Sequence, residues 1–240
     1  MKKNLFLALV ALVAISCSND SSNSTSGNVS LKATALSTTG KTSLTGRAAA
    51  STVVITDFQV NIGKIKLETD SEDAMHDKDS LHEDVKLVGP FLLDLLDPNK
   101  PLSQFITSVD VPNAKYEEIK FMFTKSLVAG DMNGKTFVIK GTINDKPLLI
   151  WSDQDAELEM DFMDPAKDFS VNGSGVALNI KIQLDALMAK LVTLANQGLL
   201  LDTDGDGTIE ISTSIEDSHS TIGHEIKDLL ENETHLDDKD

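Results

Sequence analysis

From Val29 onward, apolar and polar residues alternate with period two, the pattern of β-strands that bury one face. Over Ser51 to Glu68 the apolar set is Val54, Phe58, Val60 and Ile62, and then it changes phase to Ile65 and Leu67. The slip falls at Gly63-Lys64, where one extra residue in a strand, a β-bulge, would produce it. Val85 and Leu87, then Phe91, Leu93 and Leu95, predict two strands joined by a short turn at Gly89-Pro90. Ile119, Phe121 and Phe123 form the next inward row, and Phe137, Ile139 and Ile143 follow a turn at Asp131-Met132-Asn133-Gly134. Leu148 and Ile150 follow the Asn144-Asp145 turn, then come Leu158, Met160 and Phe162; Val176, Leu178, Ile180 and Ile182 alternate most cleanly. Short strands at this spacing, with turn residues between them, predict a mainly β fold, an antiparallel β-sandwich.

Two segments change period. Leu184, Leu187, Met188, Leu191 and Leu194 recur at helical spacing, with Asp185 as the expected N-cap and Gly198 as the stop. Ile222, Ile226, Leu229 and Leu230 repeat the pattern. These are short accessory helices near the C-terminus, each expected to pack its stripe against the sheet. Residues 30–231 then make one β-sandwich-like domain, and the acidic residues 232–240 a disordered tail.

The chain opens differently. An 11-residue apolar run, Leu5 to Ile15, follows the basic start Met1-Lys2-Lys3 and ends just before Cys17. A bilayer-spanning helix needs about 20 apolar residues, so residues 1–16 read as a cleaved signal peptide. With Val13-Ala14-Ile15-Ser16 before it, Cys17 resembles the acylated first residue of mature bacterial lipoproteins, although Ala14 stands where Leu is usual. Ser18 after the cysteine implies, by the same resemblance, an outer-membrane address, surface-exposed or periplasm-facing. Residues 17–29 are polar, a composition that buries too little to fold, and form a flexible tether with a reach of roughly 20 Å.

Charge narrows the partners. Removing Lys2 and Lys3 from 21 basic residues leaves 19 against 38 acidic ones, a charge of −19. Such a field repels nucleic acid and anionic lipid and attracts cations. Cys17 is the single cysteine, so no disulfide can form within the chain, and burial must hold the fold.

Thr56-Asp57-Phe58-Gln59-Val60, Phe91-Leu92-Leu93-Asp94-Leu95-Leu96 and Val111-Pro112-Asn113-Ala114-Lys115-Tyr116-Glu117-Glu118-Ile119-Lys120 together resemble the domain of unknown function 4382 of bacterial lipoproteins. The likeness continues through Asn179 to Leu187 and Asp202 to Ile211, with Ala114 where the family pattern has Gly and Lys120 where it often has Arg. It implies a fold and a location, and carries over no catalytic residue. Tyr116, just ahead of a buried strand, is expected to bury its ring and bond nearby backbone, like the tyrosine corner of sandwiches.

The sharpest chemical pattern is Asp202-Thr203-Asp204-Gly205-Asp206-Gly207-Thr208-Ile209-Glu210. Calcium takes six to eight oxygens, and carboxylates at positions 1, 3 and 5 around a glycine bend can converge on one ion. Asp202, Asp204, Asp206, Thr208 and Glu210 are the candidate ligands of a structural calcium. Position 12 is Thr213 rather than a bidentate acid, so affinity is expected to be weak, with Glu210 or Glu216 completing the shell. The competing reading is a plain acidic turn.

Other patterns are poorer. Ser71 to Asp84 holds His76 and His82 among six acidic residues at a spacing that suits no compact zinc loop, and its Asp79-Ser80-Leu81 resembles a short O-glycosylation tripeptide. His224-Glu225 begins like a zinc-protease helix, but Asp228 stands where the second histidine must be. Trp151 at a strand end is either half of a sugar platform or a seal on the core. No nucleophile elbow, phosphate loop or dinucleotide fingerprint occurs. The expectation is a non-enzymatic lipoprotein, anchored to the membrane through Cys17, that binds a protein or glycan. The alternative is a structural subunit of the cell envelope or of a surface assembly.

Overall fold

The structure, a computed structural model, describes residues 25–36, 43–45, 51–69, 84–96, 103–161, 169–173, 175–232 and 234–236. In chain order the strands are β1 (Ser26–Leu36), β2 (Ser43–Thr45), β3 (Thr52–Thr69), β4 (Val85–Asp94), β5 (Ser103–Pro112), β6 (Lys115–Phe123), β7 (Phe137–Ile143), β8 (Lys146–Ser152), β9 (Ala156–Asp161), β10 (Phe169–Ser170) and β11 (Val176–Gln183). Helix α1 (Asp185–Asn196), β12 (Ile209–Ser212), helix α2 (Ser220–Asn232) and β13 (Thr234–Leu236) complete the order. The fold is mainly β, as the alternation predicts, with mixed sheets that curl into a half-barrel. Among the described residues no helix is long and apolar enough to cross a membrane.

The long strand β3 organises the larger sheet. Its first half pairs with β7 and its second half with β6, while β2 and β4 pair along its opposite edge. β8 and β12 extend the sheet beyond β7, and β9 and β10 extend it beyond β6. The smaller sheet runs β13-β11-β1-β5. One cluster of buried side chains, from Val29 to Leu230, joins both sheets and both helices.

The bulge is where the phase slip puts it. Pairing of β3 with both β4 and β6 shifts between Ile62 and Lys64. A Cβ at Gly63 would lie 2.1 Å from Thr124 Oγ1 and 2.9 Å from its Cβ, so a side chain at the bulged position would require Thr124 to shift. A second shift, between Ile55 and Asp57, changes phase once more, so Val53 and Ile55 are buried in place of Val54.

Several expectations need correcting. The sheets are not purely antiparallel, because β1 runs parallel to β11 and β12 runs parallel to β8. Alternation has the same period in either direction, so it carries no information on strand sense. Val85 to Asp94 is one strand rather than two with a turn. Gly89-Pro90, a cis peptide, lies opposite the bulge, with Phe91 on Ile62 and Val88 on Lys64. β4 pairs with β3 along a single edge among the described residues, and an edge strand tolerates a proline's missing N–H.

Boundaries move as well. β1 begins at Ser26, inside the stretch expected to be tether, and places Val29 opposite Val176 and Val109. Thr234–Leu236, within the expected tail, pairs with Ile180 to Ile182 of β11. Composition averages over a window and does not register a three-residue pairing. Residues 1–24, with Cys17, lie outside the described residues, as do His76, Asp79-Ser80-Leu81, His82 and Phe162.

Both helices bury the predicted stripes. Leu187, Met188, Leu191 and Leu194 of α1, and Ile226 and Leu230 of α2, are buried against the sheet. Asp185 is the first helical residue and not the N-cap, which is Leu184 without a side-chain bond. At the other end Gly198, at φ +69°, donates to Ala195 O at 3.0 Å and Leu199 N donates to Leu194 O at 3.0 Å. That pair is the Schellman motif, whose left-handed position suits glycine.

Candidate functional site

The apolar repeat that builds α1 ends at Gly198, and the chain then runs through Leu199–Leu201 into the acidic loop before β12. Gly205 and Gly207 sit at φ +79° and +93°, a region closed to most side chains, so the loop folds back on itself twice. Asp202 accepts the N–H of Gly205 at 2.7 Å and that of Gly207 at 3.0 Å, one on each oxygen. Asp204 Oδ1 accepts from Asp206 N at 3.2 Å, and Asp206 Oδ1 accepts from Thr208 N at 2.7 Å. Each acid orders the loop by bonding backbone two to five residues ahead.

These bonds draw the carboxylates together. One oxygen from each of Asp202, Asp204 and Asp206 lies within 4.8 Å of the others, a spacing that can hold a metal ion. Desolvation pushes the Asp202 carboxyl upward, but the N–H groups of Gly205 and Gly207 prevail and hold it below its ordinary value. It therefore stays ionised, the form a cation needs.

Of the remaining candidate ligands, Glu210 falls outside this cluster of three. Thr208 contributes its N–H to Asp206, and Glu210 lies on β12, where its Oε1 accepts the indole N–H of Trp151 at 2.5 Å. Thr213 is buried, with its hydroxyl 3.1 Å from Ser152 Oγ and 3.1 Å from Asp153 Oδ1. Glu216 lines a cleft and falls outside the cluster of three.

That cleft, of about 490 Å³, opens beside the loop. Its wall carries Trp151 from β8, Asp204 from the loop, Glu210 from β12, and Glu216 and Asp217 from the turn before α2. Five hydroxyl-bearing residues complete it, and no lysine or arginine lines it among the described residues. The Thr203 and Ser218 hydroxyls, 3.1 Å apart, tie the loop to that turn. Lys135 Nζ lies 5.4 Å from the Trp151 ring centroid, so the indole already carries one ammonium.

His219 is the positioning residue that sequence reasoning missed. It is 6% exposed. One ring nitrogen lies 2.8 Å from Glu210 O and the other 3.2 Å from Leu199 O, which pins both ends of the acidic loop. Asp217 was missed too: its Oδ1 accepts from His219 N at 2.8 Å, ahead of α2. The available signal was Asp217 and His219 standing two residues apart just before the helical repeat, a pattern that reads as capping. His224 shows no zinc-site geometry; its Nδ1 lies 2.7 Å from Ser220 O and its Nε2 3.2 Å from Gln154 Nε2.

Tyr116 behaves as a structural tyrosine. Its buried ring stacks on Phe169 at 5.1 Å, and its hydroxyl donates to Pro112 O at 3.0 Å. No family model, curated protein or solved structure matches this chain.

Proposed function

We propose that this chain is a lipid-anchored, outer-membrane lipoprotein of the domain of unknown function 4382 type that acts as a non-catalytic binding module. Its ligand-facing end is the cleft beside the acidic loop, and calcium is the structural ion of that loop. The supporting observation is the convergence of Asp202, Asp204 and Asp206 to within 4.8 Å in a loop that also supplies Asp204 to the cleft wall. A divalent cation would relieve the mutual repulsion of three carboxylates and fix the wall at the same time. The shell lacks a bidentate acid, so millimolar affinity is expected.

The full chain, purified in nonionic detergent, would be heated with calcium and with chelator. Binding to the folded state stabilises it by about 2.7 kcal/mol at a hundredfold excess over Kd, and so raises the melting temperature. An unchanged melting temperature at a calcium concentration about a hundredfold above a millimolar Kd rejects the ion. Protease added to intact cells tests the address: digestion of the domain means a surface-exposed module, and protection means one that faces the periplasm.

One observation favours the second reading, a structural subunit of the envelope or of a surface assembly. Among the described residues the ten-residue strand β4 pairs along one edge only, and on it Val88 is 77% and Leu92 42% exposed. Such an edge can accept a strand from another chain. Cross-linking from Val88 on whole cells would separate the two, since an assembly subunit gives a discrete ladder there.

A further inference from the structure

Three strands lay their charged rows side by side on the solvent face of the larger sheet. Pairing sets Glu118 of β6 between Glu68 of β3 and Asp161 of β9, and one row along it sets Lys120 between Lys66 and Glu159. Like charges directly opposite each other weaken a strand pair. Glu118 holds the middle position of the acidic row, and it is buried. Its cation, Lys120, is shared: the Nζ lies 2.9 Å from Glu118, 3.3 Å from Glu68 and 3.8 Å from Glu159. Lys66 is committed to Glu68 at 2.6 Å and to Asp84, ahead of β4, at 2.9 Å. Four carboxylates thus draw on two ammonium groups, and the buried one ionises last. Desolvation raises the Glu118 carboxyl from 4.5 to about 7, with Glu159 and Glu68 adding to the rise against Lys120.

The strands on either side of Glu118 are held unequally. β3 is paired along both edges, by β6 and by β4. β9 pairs with β6 alone among the described residues. Beyond that ladder, the N–H of Glu157 donates to Glu231 of α2 at 3.2 Å, and Ala156 and Leu158 are buried.

We propose that Glu118 is a proton-operated clasp on β9: its neutral form keeps this strand against β6, and its ionised form releases it. Detachment carries Glu159 away from Glu118 and readmits water to the carboxylate, which relieves both repulsion and desolvation. It also bares the edge of β6 from Glu118 to Phe123, an acceptor for a strand of another chain, and parts Glu231 of α2 from Glu157. The closed state binds more protons between the two values of the carboxyl, so rising pH favours the open one. A carboxyl held at about 7 when closed and returning to 4.5 when open makes the opening equilibrium about tenfold larger at pH 8 than at pH 6.

Hydrogen exchange of the full chain in nonionic detergent, read by mass spectrometry and corrected for the intrinsic pH dependence of amide exchange, tests the clasp. The expected result is protection of β9 about tenfold lower at pH 8 than at pH 6, with protection of β7 changed less than about twofold. In Glu118→Gln the protection of β9 should be the same at both pH values. Glu159→Gln, which leaves Glu118 in place and removes a like-charge neighbour, should shrink the drop. Equal loss over β7 and β9 would mean that ionisation lowers the stability of the whole fold, and overturns the clasp. Unchanged protection of β9 in the parent chain overturns it as well, whether or not the variants fold, and so does a drop in Glu118→Gln as large as the parent's.

Discussion

Glu118 shows how a residue on the solvent-side row of a strand becomes buried. It alternates with the inward-facing Ile119 and Phe121 of β6, yet it is 9% exposed, with Lys120 Nζ 2.9 Å from its Oε1. Desolvation pushes its carboxyl from 4.5 up to about 7, and Glu159 and Glu68 add to the effect while Lys120 opposes it. The unfolded chain releases this proton near 4.5 and the folded chain holds it to about 7, so in that window the folded state binds more protons. Stability from this group is therefore highest at low pH and falls as pH rises through the window. Glu118→Gln removes the penalty without changing shape. The variant should melt about 2–4 °C above the parent at pH 8, and no higher than the parent at pH 4.5. Equal shifts at both pH values would mean that packing, and not ionisation, sets the effect.

At the scale of elements, α2 sits so close to β12 that one position tolerates no side chain. A Cβ on Gly223 would lie 2.0 Å from Ser212 O and 2.3 Å from its carbonyl carbon, both backbone atoms. Alanine in a helix interior gains about 1 kcal/mol over glycine, whereas overpacking costs about 1–3 kcal/mol or more. The clash wins, because neither backbone can rotate away as a side chain does. Gly223→Ala should lower the melting temperature by about 2–4 °C for each kcal/mol of net loss, read by circular dichroism. A rise would show that α2 rides freely over the strand. Gly223 carries no sequence mark of this role; its position within the stripe of Ile222 and Ile226 predicts a helix and nothing of what the helix touches. Local devices were legible because each has a local cause: the phase slip at Gly63, the Gly198 stop, and the Asn144-Asp145 turn, whose φ angles of +50° and +66° fit a two-residue hairpin. Pairing partners were not, since β1 meets β11 across a sequence separation of well over a hundred residues that no periodicity spans. The cleft was half legible for the same reason. Its acidic loop is contiguous in sequence, while Trp151 joins it through the parallel pairing of β12 with β8 and the Glu216-Asp217 turn through the Thr203–Ser218 contact.

On the scale of the whole molecule, charge opposes compactness and the ion pairs do little to offset it. Thirty-eight acidic residues face 21 basic ones. The described ion pairs include a network over β3, β6 and β9 in which Lys120 meets Glu68, Glu118 and Glu159. Partly exposed pairs contribute about 0–1 kcal/mol each, and salt weakens them. Salt also weakens the repulsion among the surplus carboxylates, which acts over many more pairs at longer range. Raising sodium chloride from 10 to 150 mM shortens the screening length from about 30 to about 8 Å, less than the distance between most of those charges but more than the length of an ion pair. The repulsive term is thus lost first, and the melting temperature should rise by a few degrees. A fall would mean that the network on β3, β6 and β9 outweighs the net charge. Calcium added at constant ionic strength then isolates the loop, because screening is unchanged and only an ion held by Asp202, Asp204 and Asp206 can add to the gain. Magnesium, which demands tighter octahedral geometry and sheds water reluctantly, should give a smaller gain at the same concentration. Equal gains from the two ions would assign the effect to diffuse counterions around an acidic surface and remove the loop from the ledger of specific sites.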